Sequence, residues 1–218
     1  MSNALLAYVN GEYLPRSEAC LPIMDRGLLF GDSVYEVIPA YGGQPFRVSQ
    51  HLDRLERSLA ALRLEPPLAR AAWQDIFCQL TRQLPEQDQS IYLQVTRGAY
   101  PIRRLPIPKD CRPNVFAFTS PKPTHDYADM VGGISAVTVE DLRWHQCNIK
   151  ATTLLANVLA RAQATEMDAD EAIFVRGDEA IEGTASNLFI VNEGLLITPP
   201  KSTELLPGVT RDLVLEIA

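Results

Sequence analysis

Asn148-Ile149-Lys150-Ala151-Thr152-Thr153-Leu154-Leu155 carries a single charge, the Lys150 ammonium, inside a run of apolar and small residues. Such surroundings strip water from an amine, lower its pKa and leave it available as a nucleophile. An amine of this kind can form a Schiff base with a carbonyl cofactor. Working outward, residues 153–166 read as a helix whose apolar stripe is Leu154, Leu155, Val158, Leu159 and Ala162. Residues 133–139 read as a strand before the lysine, and 171–176, 188–192 and 195–198 as short strands after the helix.

The first half has its own pattern. Leu6-Ala7-Tyr8-Val9 is strand-like, Asn10-Gly11 turns it, and Tyr13-Leu14 returns. Residues 34–41 form a β-branched and aromatic run that Gly42-Gly43 folds into Pro45-Phe46-Arg47-Val48. His51, Leu52, Leu55, Leu59 and Leu62 then recur at helical spacing, with Ser49 able to cap the start and Pro66-Pro67 ending the pattern. A second helix is expected over 69–84, ended by Pro85, then a strand over 90–97 with a partner over 114–119. The loop 98–113 between them is rich in Pro and Arg. Pro121-Lys122-Pro123-Thr124-His125 reads as a stiff linker. The expected class is therefore α+β, with a small α/β domain over 1–120 and a larger domain over 121–218. The last helical pattern runs to Ala218 with nothing to stop it, so the larger domain is expected to be incomplete at its C-terminus.

Composition narrows the function classes. Of 218 residues, 46% are hydrophobic and 22% charged, which suits a soluble globular protein with a sizeable core. A net charge of −7 without an extended basic stripe argues against a nucleic-acid partner. No apolar run approaches the roughly 20 residues of a membrane span. The N-terminus lacks a secretory pattern, so a cytoplasmic location is expected. Cys20, Cys78, Cys111 and Cys147 form no CxxC pair and read as reduced, mostly buried thiols; no metal site is expected.

Several stretches together resemble the fold-type IV pyridoxal-phosphate enzymes, the family of D-amino-acid, branched-chain and related aminotransferases. They are Met24-Asp25-Arg26-Gly27-Leu28-Leu29-Phe30-Gly31-Asp32-Ser33-Val34-Tyr35-Glu36-Val37 and His51-Leu52-Asp53-Arg54-Leu55. Next come Glu140-Asp141-Leu142-Arg143-Trp144 with Asn148-Ile149-Lys150, then Glu182-Gly183-Thr184-Ala185-Ser186-Asn187 and Leu206-Pro207-Gly208-Val209-Thr210-Arg211. They fall in the family's order over nearly the whole chain, and the nearest subgroup is the D-amino-acid (D-alanine) transaminases.

The resemblance implies that Lys150 holds pyridoxal 5'-phosphate covalently and moves a proton between the substrate Cα and the cofactor. Glu182 would face the pyridine nitrogen and keep it protonated, so that the ring accepts the carbanion's electrons. Arg54 would bind the phosphate through its guanidinium fork. Val209 and Thr210, at the start of the last helix, would give that anion free N–H groups and a hydroxyl. Tyr35 reads either as a substrate-side tyrosine or as a half-buried core residue. Leu206 reads either as packing on the pyridine ring or as plain core. His51 and His145 are expected to support Arg54 and the lysine loop rather than to act in catalysis.

The match departs from the subgroup in one loop. D-alanine transaminases place an arginine and a histidine after Thr-Arg-Gly to hold the substrate carboxylate; here those places fall on Ile102 and Arg104. Arg103 and Arg104 are the cations left to bind that carboxylate. The resemblance further implies a homodimer in which this loop is lent to the neighbour. The expected reaction moves an amino group from an amino acid, a D-amino acid such as D-alanine, to a 2-oxo acid such as 2-oxoglutarate. The alternatives are a lyase of the aminodeoxychorismate type, a branched-chain L-amino-acid aminotransferase, and a non-catalytic truncated homologue.

Overall fold

The computed structural model describes residues 5–123 and 131–218. The chain forms two compact units, residues 1–124 with 150–152, and residues 125–149 with 153–218. Thr124 and His125 of the expected linker lie outside the described residues.

The first unit contains β1 (Leu6–Val9), β2 (Glu12–Pro15), α1 (Arg26–Phe30), β3 (Ser33–Tyr41), β4 (Gln44–Pro45), α2 (Val48–Ala61), α3 (Arg70–Thr81), β5 (Gln89–Thr96) and β6 (Asn114–Pro121). Its strands form one antiparallel sheet in the order β2-β1-β6-β5-β3-β4. Strand alternation explains its two faces. On β3, Val34, Ile38 and Ala40 point to one side and are fully buried. Ile91, Leu93 and Val95 of β5 join them, with Leu52, Leu55 and Leu59 of α2 and Phe77 and Leu80 of α3, all at most 1% exposed. Each such side chain contributes about 1.5–3 kcal/mol on leaving water. Tyr35 of β3 points the other way and heads an aromatic ladder. Tyr92 stacks on Tyr35 at 5.6 Å, on Phe118 at 5.1 Å and on Phe116 at 6.0 Å.

Helix α2 begins at Val48, with Arg47 in the left-handed region (φ 52°) and no side-chain cap. Ser49 therefore sits inside the first turn and does not cap it. The short α1 was not visible in the hydrophobic pattern; Asp25 accepts from the Gly27 N–H at 2.7 Å to start it. The loop from Arg97 to Pro113 is pinned at its root. Gly98 has φ +99°, and a Cβ there would lie 1.8 Å from the Arg112 carbonyl oxygen, so only glycine fits.

The second unit contains β7 (Ala136–Glu140), α4 (Leu155–Glu166), β8 (Glu171–Arg176), β9 (Glu179–Gly183), β10 (Ile190–Asn192), β11 (Leu195–Ile197) and α5 (Val209–Ile217). β7 and β8 are parallel, joined through α4 as parallel pairs require, and β9 runs antiparallel to β8. The β9 segment lacks a β-branched alternation, so its pairing with β8 and not its propensity makes it a strand. Val139, Ala160, Ala164, Ala172 and Phe174 form the core of this unit. Here the expected helix stripe is corrected. Leu155, Val158 and Leu159 are 60–70% exposed, and α4 meets the sheet through alanines, whose small side chains allow close approach. The cysteine expectation is corrected too: all four thiols are free, but only Cys147 is buried. No described helix is long and apolar enough to cross a membrane.

Candidate active site

Residues 150–152 dock onto the first unit as a short extra strand. Val34 and Ala151 form an antiparallel bridge. The Tyr35 N–H donates to the Lys150 carbonyl at 3.0 Å, and the Thr152 N–H donates to the Ser33 carbonyl at 3.2 Å. The Lys150 N–H donates to Ser58 Oγ on α2 at 3.2 Å. With its backbone held on both edges, the lysine places Nζ 4.2 Å from the centre of the Tyr35 ring. An aromatic face so placed attracts a cation. Burial raises the Tyr35 phenol above its usual range, while the nearby Arg54 charge works the other way. Tyr35 is thus a half-buried residue on the open face of the sheet, not part of the helix-facing core.

Arg54 is buried, and its partner is a residue the motifs had not singled out. Glu36 lies on the helix-facing side of β3 and is fully buried. Arg54 Nε donates to Glu36 Oε1 at 2.8 Å and Nη2 to Oε2 at 2.7 Å. His51 Nδ1 meets Oε2 at 2.8 Å. Burial alone would raise the Glu36 carboxyl, but the Arg54 and His51 bonds prevail and hold it below the usual range. The signal was in the strand parity: a glutamate between Val34 and Ile38 on an apolar face requires a buried cation. His51 supports Arg54 through this shared carboxylate.

Arg103 and Arg104 sit on the exposed part of the 97–113 loop. The Arg103 guanidinium lies 4.9 Å from the Phe30 ring, and Arg104 donates to the Tyr100 hydroxyl at 2.9 Å. Arg26 holds the loop's main chain, donating to the Arg104 carbonyl at 2.6 Å and to the Leu105 carbonyl at 3.1 Å. Ile102 is 61% exposed.

In the second unit, Glu182 is on β9 and 5% exposed, not a solvated turn acid. Arg143 Nη1 donates to Oε1 at 2.6 Å; Oε2 accepts from the Leu206 N–H at 3.1 Å and from Asn187 at 3.2 Å. Arg143 is itself shared with Asp141, which takes its Nε at 2.9 Å and Nη2 at 3.0 Å. Burial raises the Glu182 carboxyl above its usual value, and the Arg143 bond offsets this only in part. Leu206 is half-buried and contributes its backbone to Glu182, whereas its neighbour Leu205 is the core leucine. His145 is exposed and pairs with Arg176 at 2.9 Å.

Helix α5 opens at Gly208 without a side-chain cap, which leaves its first-turn N–H groups at Val209 and Thr210 for an anion. A Cβ on Gly208 would lie 2.0 Å from Asn187 Oδ1, so the turn is shaped for glycine. Arg211, one residue on, is 7% exposed, and its Nε is a buried donor without a hydrogen-bond partner. The first unit carries a nucleophilic amine and a buried guanidinium, and the second a buried carboxylate and an uncapped helix start; each is a group of the kind that an aromatic aldehyde bearing a phosphate calls for. Pyridoxal 5'-phosphate fits these residues. Among the described residues, no His, Cys, Asp and Glu group could hold a metal ion.

The sequence pattern of the family described as "Amino-transferase class IV" matches residues 33–218. The chain belongs to the class IV amino-transferase family. This pyridoxal-phosphate-dependent aminotransferase is 37% identical over 210 residues to the D-alanine aminotransferase of Staphylococcus haemolyticus, covering 95% of this chain and 73% of that protein. The D-alanine aminotransferase of Bacillus licheniformis is 38% identical with the same coverage. Among solved structures, a branched-chain aminotransferase from Thermoproteus uzoniensis superposes with a TM-score of 0.86 at 26% identity, covering 98% of this chain and 74% of that one. The aminotransferase thus has the fold-type IV architecture its motifs implied. Lys150, Glu182 and the last-helix turn were given roles by their motifs; Ser33, Glu36 and Asn187 stood inside quoted motifs without one, and Ser58 lay outside them. Arg143 stood inside a quoted motif without a role.

Proposed function

We propose that the chain transfers an amino group from a D-amino acid, with D-alanine as the donor, to a 2-oxo acid such as 2-oxoglutarate. The observation that carries this reading is the Lys150 amine, held 4.2 Å above the Tyr35 ring by a main chain bonded on both edges. When bound, pyridoxal phosphate supplies the aldehyde that Lys150 engages and the ring that accepts electrons from the substrate Cα. Lys150 Nζ takes the proton from Cα and returns it, an acid–base task suited to an amine already within reach. Glu182 holds a proton at the pyridine nitrogen, a task its raised carboxyl favours. With the cofactor bound, Arg54, Val209 and Thr210 would hold its phosphate and Leu206 would pack on its ring. Tyr35 orients the substrate, and Arg103 and Arg104 draw in its carboxylate.

The D-alanine choice rests on the two bacterial relatives of that name. Ile102, an apolar side chain where a D-alanine transaminase has arginine, favours one second reading, a branched-chain L-amino-acid donor. We also propose a cytoplasmic homodimer, with residues 1–120 as the small domain and 121–218 as part of the larger one.

The test is intact mass after borohydride reduction with pyridoxal phosphate, followed by turnover of D-alanine, L-leucine and L-valine with 2-oxoglutarate. The expected result is one cofactor adduct, absent in Lys150→Ala, and turnover of D-alanine. Turnover of the L-donors alone selects the branched-chain reading. Repeated release of pyruvate from aminodeoxychorismate, well beyond one equivalent per subunit and without a 2-oxo acid, selects a lyase. No adduct and no turnover identifies a non-catalytic homologue.

A further inference from the structure

Four polar side chains run in an unbroken line from the aromatic face of the sheet to the lysine segment. The Tyr92 hydroxyl donates to Gln94 Oε1 at 2.6 Å, and Gln94 Nε2 donates to Ser33 Oγ at 3.1 Å. Ser33 Oγ and Thr152 Oγ1 are 2.5 Å apart. Since Ser33 Oγ already accepts from Gln94, its own proton is available to Thr152, so every donor can point toward the lysine segment. Ser33 is completely buried, and a hydroxyl without a partner there would cost about 1–3 kcal/mol. The main chains of the same two residues are also bonded, Thr152 N–H to the Ser33 carbonyl. Ser33 therefore grips Thr152 twice, two residues from Lys150.

Each end of the line reaches Lys150 by a different route. At one end, Tyr92 stacks on Tyr35, whose ring lies beneath the lysine amine. At the other, Thr152 fixes the C-terminal side of the lysine tripeptide, while Ser58 fixes its N-terminal side from α2. Backbone position and side-chain platform are thus set by one connected network, and networks of this kind act cooperatively.

We propose that Ser33 and Thr152, tied through Gln94 to Tyr92, are positioning residues that hold Lys150 in its reacting orientation. This rests on the assignment of Lys150 as the residue that holds the cofactor. The pair acts through the main chain and the Tyr35–Tyr92 stack. A misplacement of about 1 Å at a reacting group costs up to about a hundredfold in rate. Loss of one of several restraints is therefore expected to cost roughly tenfold.

The experiment compares wild type with Ser33→Ala, Thr152→Val, the double variant and Thr152→Ser. Three readouts are taken: kcat and KM, the circular dichroism of the bound-cofactor band, and amide hydrogen exchange at Lys150 and Thr152 without cofactor. Expected are a roughly tenfold fall in kcat with KM little changed, a weakened dichroic band and faster exchange in both single variants. The double variant should be no worse than Ser33→Ala, because the bond that Thr152→Val removes is already lost there. Thr152→Ser should restore all three readouts. Wild-type values in both single variants overturn the proposal, as does a Thr152→Ser variant that behaves like Thr152→Val. Should Ser33→Ala fail to fold, Thr152→Val and its serine rescue decide alone. A wild type that takes up no cofactor under borohydride defeats the Lys150 assignment instead, and amide exchange then still decides whether Ser33 and Thr152 hold the segment.

Discussion

Two buried glutamates, one in each unit, are each bonded to an arginine, yet their carboxyls shift in opposite directions. Glu36 is held below the usual range and Glu182 is raised above it. Burial acts the same way on both. The difference lies in the donors. Glu36 receives two prongs of the Arg54 fork and the His51 ring, each at 2.8 Å or less. Glu182 receives one prong of an arginine whose fork is committed to Asp141, plus two longer bonds from uncharged groups. The negative Asp141 works further against it. One carboxylate is saturated and serves as structure, fixing Arg54. The other has fewer charged donors around it, and burial with the nearby Asp141 makes its carboxyl hold a proton more readily.

Substitution should separate the two. Glu36→Gln has the largest expected effect. It strips a buried arginine of its counter-charge and should cost about 3–5 kcal/mol of stability, read from urea unfolding. A loss below 1 kcal/mol would erase the distinction. Glu182→Gln should instead lower kcat by about 10²-fold while the cofactor adduct on Lys150 persists, because Arg143 keeps Asp141 and the fold keeps its balance. Unfolding as severe as that of the Glu36 variant would make Glu182 structural as well.

The smallest effect is on the pH dependence of stability, and its sign is the informative part. Glu36 titrates lower folded than unfolded, so it adds stability above the reference value of 4.5, lost as pH falls through its lowered folded value. Glu182 titrates higher when folded. Its contribution favours the fold at low pH and is lost as pH rises through the window above 4.5. Urea midpoints measured across both windows should therefore change slope in opposite senses in the two glutamine variants. Equal slopes would show that the two sites are electrostatically alike.

Much of this was open to a reader of the sequence. The hairpins, α2, α3 and the β5–β6 pair follow from turn residues and periodicity, because local chemistry dictates them. Lys150 and Glu182 stand out as charges among small and apolar residues. What stayed hidden depends on pairing between distant segments. The glutamate at position 36 had no assigned role in the sequence, and the structure pairs it with Arg54. The strand at 179–183 exists because β8 offers it an edge, and the leucines of α4 point outward because its alanines already satisfy the sheet. Ser58 lies in no motif and Ser33 has no role in its own; their meaning comes from what docks on them.

The pinned root of the 97–113 loop separates two kinds of freedom. Gly98 fixes where the loop leaves, at a place only glycine fits, whereas Arg26 carries its middle through carbonyl groups that any residue possesses. Side chains from Pro101 to Ile107 are largely exposed and bear little of that burden. Exchanging the side chains of this segment is therefore expected to leave its main-chain anchorage in place.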